Sequence, residues 1–394
     1  MSPEQFRALF PALSDLVWLD TPGSPPGALP VLDALEGALE QWRTGSYRWP
    51  DWELAAAESR QLFATFLGVP SATVALMSSF AEAAATVAAC LPPGRIVVGD
   101  EEYRDNLFPW VALRSAEREV VRMSSRDGGV RTADLIAAMN PETVLVAVSE
   151  VLSRDGVRAD LRSLRAAADN VGARLFIDAT QSLGVLRFDW PAIRPDYLAV
   201  HGYKWLLCPR GAGWLVARED RVGELRPLLP SWKSTGEQEF FGGELSYAPD
   251  AARCDTPSAW FSWVGARAAL KLALELPQDE VERHCLGLAA RFREGARAAG
   301  AEPIGRGGPS HIVAVRVANP PSVLAALENA GVRALALGDR LRVGFHYFNS
   351  VTDVDVALGA LRAGIGSRSQ PANVSGAGIG GIQQCAEHEP KLRT

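Results

Sequence analysis

Lys204 is one of only four lysines among 394 residues, and it stands between apolar segments in DYLAVHGYKWLLCPRGAGWLVAR, residues 196–218. Lysine is almost never fully buried unless paired. Burial lowers the proton affinity of the amine and makes it a nucleophile toward carbonyl groups, which is Schiff-base chemistry. From this segment alone, a lysine whose stem crosses an apolar rim while its head reaches water fits equally well.

Asp178 tips that balance. It closes the apolar run of ARLFIDATQSLGV, residues 173–185, as the HGYK turn closes DYLAV. Ligands of open α/β sheets bind at the carboxyl ends of strands, so two consecutive strands deliver an acid and an amine to one edge. Pyridoxal phosphate needs that pair: a lysine for its aldehyde, and a carboxylate that keeps the pyridine nitrogen protonated so the ring accepts electrons. A charge-assisted hydrogen bond of this kind contributes about 1.5–3 kcal/mol. Taken singly, Asp178 also reads as a turn or helix-cap aspartate.

The elements that must position these groups follow from hydrophobic periodicity. Apolar strands recur near residues 73, 96, 119, 143, 174, 196 and 212, with helical patterns between most of them. That alternation predicts an α/β fold with a largely parallel sheet. Residues 1–50 read as an N-terminal arm and part of a small domain, and 51–257 as a large domain. Residues 258–365 read as a linking helix, SAWFSWVGARAALKLAL, followed by a C-terminal small domain containing HIVAVRV, VRALAL and RLRVGF. From 366 to 394 large apolar residues thin out, which predicts a flexible tail. The GAGIGG within that tail has neither a preceding strand nor a clear following helix, so it is not a dinucleotide loop.

FIDATQSLG, HGYKWLLCPRGAGWL and RLRVGFHYFNS (340–350), in that order, resemble the class V aminotransferase-like branch of fold type I pyridoxal-phosphate enzymes. Cysteine desulfurases, kynureninases and isopenicillin N epimerase-like proteins belong to it. The resemblance covers about residues 15–365 and implies a large domain with a mostly parallel seven-stranded sheet plus a small α+β domain. It implies that Lys204 is the Schiff-base lysine, Asp178 the pyridinium partner and Gln181 the donor to the ring's phenolic oxygen. His201 and Tyr203 become phosphate contacts.

Other positions carry over from altered wording. In LMSSFAEAAATV (76–87), Ser79 and Phe80 occupy the usual Gly-Thr place at a phosphate-binding helix start. Phe80 offers only its amide, so Ser78 or Ser79 would supply the hydroxyl. Tyr103, in DEEYRDNLFPW, stands where cysteine desulfurases stack a histidine on the cofactor. Glu150, in VSEVLSRDG, replaces an asparagine near the substrate. Arg342 resembles the arginine that grips an α-carboxylate through a two-pronged contact, which implies an amino-acid substrate. The long connection from 229 to 257 resembles the segment that reaches a neighbouring subunit, with Thr256 as a phosphate contact across a homodimer.

Desulfurases carry a nucleophilic cysteine on a loop before the arginine strand, whereas GVRALALGDRLRVG passes from strand to strand without one. This argues against persulfide-forming chemistry and leaves β-elimination, or a related carbon–sulfur lyase reaction on a cysteine-like substrate, as the leading expectation. Alternatives are decarboxylating oxidative deamination to an aldehyde, transamination, or a non-catalytic binding protein of the same fold.

The five cysteines show no CxxC or zinc-ligand spacing and the five histidines no HExxH, so no metal is expected. A net charge of −6 with 22% charged and 47% hydrophobic residues favours neither nucleic acid nor membrane. The start, MSPEQFRALF, lacks a basic region followed by an apolar core, which predicts a cytoplasmic protein.

Overall fold

Strand β1 (Val17–Trp18) belongs to the second half of the molecule, although it lies near the start of the chain. In the computed structural model, which describes residues 1–124, 132–236, 240–305 and 307–366, the central feature is a seven-stranded sheet. Its strands are β2 (Val74–Met77), β3 (Gly94–Gly99), β4 (Arg118–Met123), β5 (Thr143–Ser149), β6 (Arg174–Asp178), β7 (Tyr197–His201) and β8 (Gly213–Ala217). The spatial order is β2-β8-β7-β6-β5-β3-β4. Only the two pairings of β8 are antiparallel, so the expected mostly parallel sheet is present.

The sequence explains why the centre is buried on both faces. LFID, YLAVH and GWLVA are near-continuous apolar runs, and their residues are buried throughout. One face packs against the helix Trp49–Leu67, where Phe63 stacks on Trp214 at 4.5 Å with an interplanar angle of 4°. The other packs against the helix Phe80–Cys90, whose Phe80 meets Phe176 edge to face at 5.9 Å.

The chain then runs through helices Trp260–Leu274 and Gln278–Ala298 into the strands β9 (Glu302–Ile304), β10 (Ile312–Arg316), β11 (Val332–Arg333), β12 (Leu335–Leu337) and β13 (Arg340–Gly344). Four of these form an antiparallel sheet in the order β12-β13-β10-β9, while β11 pairs in parallel with β1. That pairing returns the N-terminal segment to the C-terminal sheet and places Asp20, just past β1, beside β13. The tail and its GAGIGG lie outside the described residues, which end at 366.

Candidate active site

The carboxyl ends of β5, β6 and β7 converge with the loop at 100–106 on one cleft. Its walls include Phe80, Tyr103, Ser149, Ser153, Asp178 and Lys204. Lys204 is 6% exposed. The turn that carries it is closed by the Leu207 N–H donating to the Lys204 carbonyl at 3.1 Å, with Leu207 in the left-handed region at φ 61°. A branched residue there is strained by about 1–3 kcal/mol, which the surrounding packing must offset.

The Lys204 amine has no hydrogen bond or ion pair among the described residues. Its Nζ lies 5.5 Å from the ring centroids of both Tyr103 and Tyr203. Burial, opposed by Asp178 and assisted by Arg342, pushes its pKa down to about 8. Asp178 is buried at the end of β6; its Oδ1 accepts the Thr180 N–H at 2.8 Å, and the Ser149 hydroxyl lies 3.4 Å from its Oδ2. Burial pushes the Asp178 carboxyl up, against the hydrogen bonds of Thr180 and the charge of Lys204.

A buried amine without a protein partner, a carboxylate with acceptor capacity left, and aromatic side chains lining the space with them fit a flat aromatic aldehyde with a ring nitrogen. Pyridoxal phosphate suits this donor set.

The start of helix Phe80–Cys90 borders the cleft through Phe80. Ser79 caps it, its hydroxyl oxygen accepting the Glu82 N–H at 3.1 Å. Ser78 gives both its N–H, at 2.7 Å, and its hydroxyl, at 2.5 Å, to the Glu82 carboxylate. Of the two serines, Ser79 therefore keeps a hydroxyl proton to donate. Burial, then the charges of Arg210 and Lys204, lower the pKa of His201 to about 4. Its Nε2 accepts the Gly211 N–H at 3.4 Å, so the neutral ring carries its proton on Nδ1, available to an anion. Arg210 lies 4.9 Å from the Tyr203 ring centroid and adds positive charge at this end.

The Gln181 amide lines the cleft already engaged. Its nitrogen donates to the Pro22 carbonyl at 3.0 Å and Ser153 Oγ at 2.8 Å, while its oxygen accepts Trp205 Nε1–H at 2.7 Å. Arg342 is likewise engaged: Nη1 donates to the Ser153 carbonyl at 2.8 Å, and Nη2 to Asp20 at 3.1 Å.

Glu150 corrects the sequence reading. The chain doubles back after β5, with Ala159 N–H donating to the Glu150 carbonyl at 2.9 Å, which brings Arg158 Nη2 to 3.2 Å from the Glu150 carboxylate. That carboxylate borders a separate groove with Arg158, Arg162 and Arg187, and is absent from the walls around Lys204. Thr256 lies beyond the cleft, next to Asp255, which is ion-paired with Arg60.

Sequence reasoning missed Asp20, Ser149, Ser153 and Glu102. Asp20 had a usable signal, an acid at the end of the short apolar run VWL. Ser153 had none, because only the fold brings its loop to Arg342.

This fold and cleft define a fold type I pyridoxal-phosphate enzyme. The chain belongs to the class V aminotransferase family, whose model matches residues 17–374, and pyridoxal 5'-phosphate is its cofactor. A probable cysteine desulfurase of Methanothermobacter thermautotrophicus is 31% identical over 238 residues, which span 58% of this chain and 60% of that protein. Isopenicillin N epimerase of Amycolatopsis lactamdurans is 28% identical over 340 residues, 77% of this chain and 83% of that protein. Among solved structures, the apo cysteine desulfurase of Thermococcus onnurineus superposes with a TM-score of 0.81 at 22% identity, covering 93% of this chain and 98% of that one. A cystine C–S lyase in complex with its product, cysteine persulfide, also gives 0.81, at 21% identity over 90% of this chain and 99% of that one. These structural likenesses carry the fold.

The relatives also overturn one expectation. Persulfide-forming chemistry was set aside because no cysteine precedes the arginine strand, yet proteins named cysteine desulfurase are prominent among the matches. A missing loop cysteine bears on where sulfur would be carried. It does not decide whether a persulfide can be the product. Among the described residues no group of three or more His, Cys, Asp or Glu is placed to hold a metal ion, and no helix is long and apolar enough to cross a membrane.

Proposed function

We propose that this chain binds an amino acid by its α-carboxylate and cleaves the carbon–sulfur bond of a cysteine-like substrate by β-elimination. The observation that carries the reading is the buried Lys204 amine, unpartnered among the described residues, sharing one cleft with Asp178. Pyridoxal phosphate, when bound, supplies an electron sink that weakens the bonds of the substrate's α-carbon.

The chain's own residues do the rest. Asp178 would hold the proton on the ring nitrogen, and Tyr103 would lie beside the ring. Gln181 donates to the phenolic oxygen by exchanging one of its present acceptors, and Ser79, the Phe80 amide, His201 and Tyr203 take the phosphate. Arg342 grips the carboxylate. Lys204 Nζ would accept the α-proton, and sulfur would leave the β-carbon with the bonding electron pair. Elimination releases a thiol from a thioether substrate, or a persulfide from a disulfide, together with 2-aminoacrylate, which one water molecule hydrolyses to pyruvate and ammonia. The cysteine desulfurases among the relatives support a sulfur-bearing substrate.

The site is completed by a second copy of the chain, with Thr256 reaching the neighbour's phosphate. Exposed aromatic side chains in and around the long connection support this dimer: Phe241 is 91% exposed, and Phe240, which packs on Trp49 and Trp232, is more than half exposed.

The test is product analysis with L-cysteine, cystine and S-conjugates of cysteine. Pyruvate formed in step with ammonia and a thiol or persulfide sustains the reading. Carbon dioxide with an aldehyde, or a keto acid that depends on a second amino acid, replaces it with deamination or transamination.

A further inference from the structure

Glu102 is buried, 7% exposed, at the far side of Ser149 from Asp178. Its Oε1 accepts the Ser149 N–H at 2.8 Å, and its Oε2 accepts Asn106 Nδ2–H at 2.9 Å and the Ser149 hydroxyl. The same hydroxyl oxygen lies 3.4 Å from Asp178 Oδ2. Asn106 is itself fixed by Trp110, whose Nε1 donates to its Oδ1 at 3.3 Å. No cation pairs with Glu102 among the described residues. A serine hydroxyl thus bridges two buried carboxyl groups, one of which faces the cofactor site.

A hydroxyl has one proton to give. While Glu102 is ionised, the Ser149 proton points to it and Asp178 Oδ2 receives none from Ser149. When Glu102 takes a proton from solvent, its new O–H can donate to Ser149 Oγ, and the Ser149 proton turns to Asp178 Oδ2. The only covalent bond made is the O–H of Glu102.

We infer that Glu102 is a positioning residue which, through the Ser149 hydroxyl, sets whether Asp178 Oδ2 receives a hydrogen bond from Ser149, beside the one Oδ1 takes from Thr180, and so how firmly Asp178 holds the proton on the cofactor's ring nitrogen. The inference rests on the reading of Asp178 as the ring-nitrogen partner. Burial first, and the charge of Asp178 last, raise the pKa of Glu102 to about 7, against the hydrogen bonds of Ser149 and Asn106. The groups facing Glu102 are few. Asp178 comes from β6 and Ser149 from β5; Asn106 and Trp110 follow it in the chain, and Glu101 precedes it. The small cavity behind Glu102 is otherwise lined by Gly99, Thr132 and Leu135, by Val148 of β5, and by Leu152, Val157 and Ala159.

The experiment has two readouts. The first is the carboxyl infrared band of the cofactor-free chain, followed from one pH unit below to one above about 7. A protonated-carboxyl band that fades as pH rises, and is missing from Glu102→Gln, supports the relay. A spectrum without a titrating carboxyl overturns it, whether or not the variant folds. The second is the visible spectrum of the chain loaded with pyridoxal phosphate, titrated over the same range in the wild type, Glu102→Gln and Ser149→Ala. The relay requires a spectral midpoint near 7 in the wild type that vanishes, or moves by about one unit or more, in both variants. A midpoint unchanged in either folded variant overturns the relay and leaves the cofactor reading intact. If the wild type develops no cofactor band at all, both fall together.

Discussion

Arg342 Nη2 meets Asp20 Oδ1 at 3.1 Å, joining residues 322 positions apart in the chain across the rim of the cleft. The contact exists because β1 pairs with β11, which returns the N-terminal segment to the C-terminal sheet. Arg342 also donates to Ser153 through Nη1. The guanidinium is therefore aimed and neutralised before any substrate arrives. The α-carboxylate proposed to bind Arg342 would have to displace or share with Asp20.

Asp20→Asn keeps the shape and removes the competing anion. The expected outcome is a several-fold lower KM for the amino-acid substrate with a smaller change in kcat. Arg342→Lys loses the two-pronged geometry, so kcat/KM falls by about 10- to 100-fold, equivalent to about 1.5–3 kcal/mol. Steady-state kinetics on both variants checks this; an unchanged kcat/KM in Arg342→Lys would remove the carboxylate role.

Replacing Lys204 by alanine removes the amine proposed to accept the α-proton. Turnover falls by at least about 100- to 10,000-fold, while weak, borohydride-insensitive cofactor binding persists. Absorption spectra before and after reduction, paired with product assays, decide it. Undiminished turnover would withdraw the central assignment.

The wild-type amine has its own pH signature. Burial lowers its pKa from 10.5 to about 8, so the neutral, nucleophilic form dominates above about 8 in the folded chain. Capture of pyridoxal phosphate by the cofactor-free protein should accelerate as pH rises through that value and level off beyond it. The linkage has the same sign. Between about 8 and 10.5 the unfolded chain binds the proton that the folded chain has lost, so this group's contribution to stability rises with pH. Stopped-flow binding against pH tests the first statement; a flat profile contradicts it.

Gly184 tests the support under the lysine turn. Its φ is +105°, and a Cβ there would lie 2.3 Å from the Trp205 carbonyl oxygen. Trp205 holds Gln181 through its indole N–H, and His346 Nε2 donates to the same Trp205 carbonyl at 3.0 Å. Gly184→Ala forces the backbone just after Lys204, at Trp205 and Leu206, to shift, so the melting temperature falls and cofactor affinity falls with it. Retained affinity at wild-type stability would show that this packing does not set the turn.

The chemistry at strand ends was legible because it obeys a local rule: an apolar run stops and a polar residue follows. Lys204 and Asp178 announce themselves this way, and all seven large-sheet strands fall within a few residues of the apolar runs that predicted them. The contacts that refine the site were not legible, because they depend on which way a loop folds. Glu102 sits in DEEYRDN, a string that reads as solvated charge, yet Ser149 and Asn106 bury it. Glu150 follows the last residue of β5, and only the return of the chain toward Arg158 shows that it turns from the cleft. Asp20 required a two-residue parallel pairing that no periodicity can reveal.

Glu150 and Arg158 give the last prediction. The Glu150 side chain is 3% exposed and its partner 23%. Burial, countered by Arg158, raises the pKa of Glu150 above 4.5. In the window from 4.5 up to that raised value the folded chain binds the proton more tightly than the unfolded chain. Stability from this group is therefore greatest at low pH and declines as pH rises through the window. Arg158→Ala strands an ionised buried carboxylate, which costs about 3–5 kcal/mol, and raises its pKa further. Denaturant unfolding of wild type and variant at about pH 5 and about pH 8 should show the larger deficit at the higher pH, because protonation relieves the stranded charge at the lower one. A deficit of equal size at both values would mean that lost packing of the Arg158 stem, not the charge of Glu150, dominates.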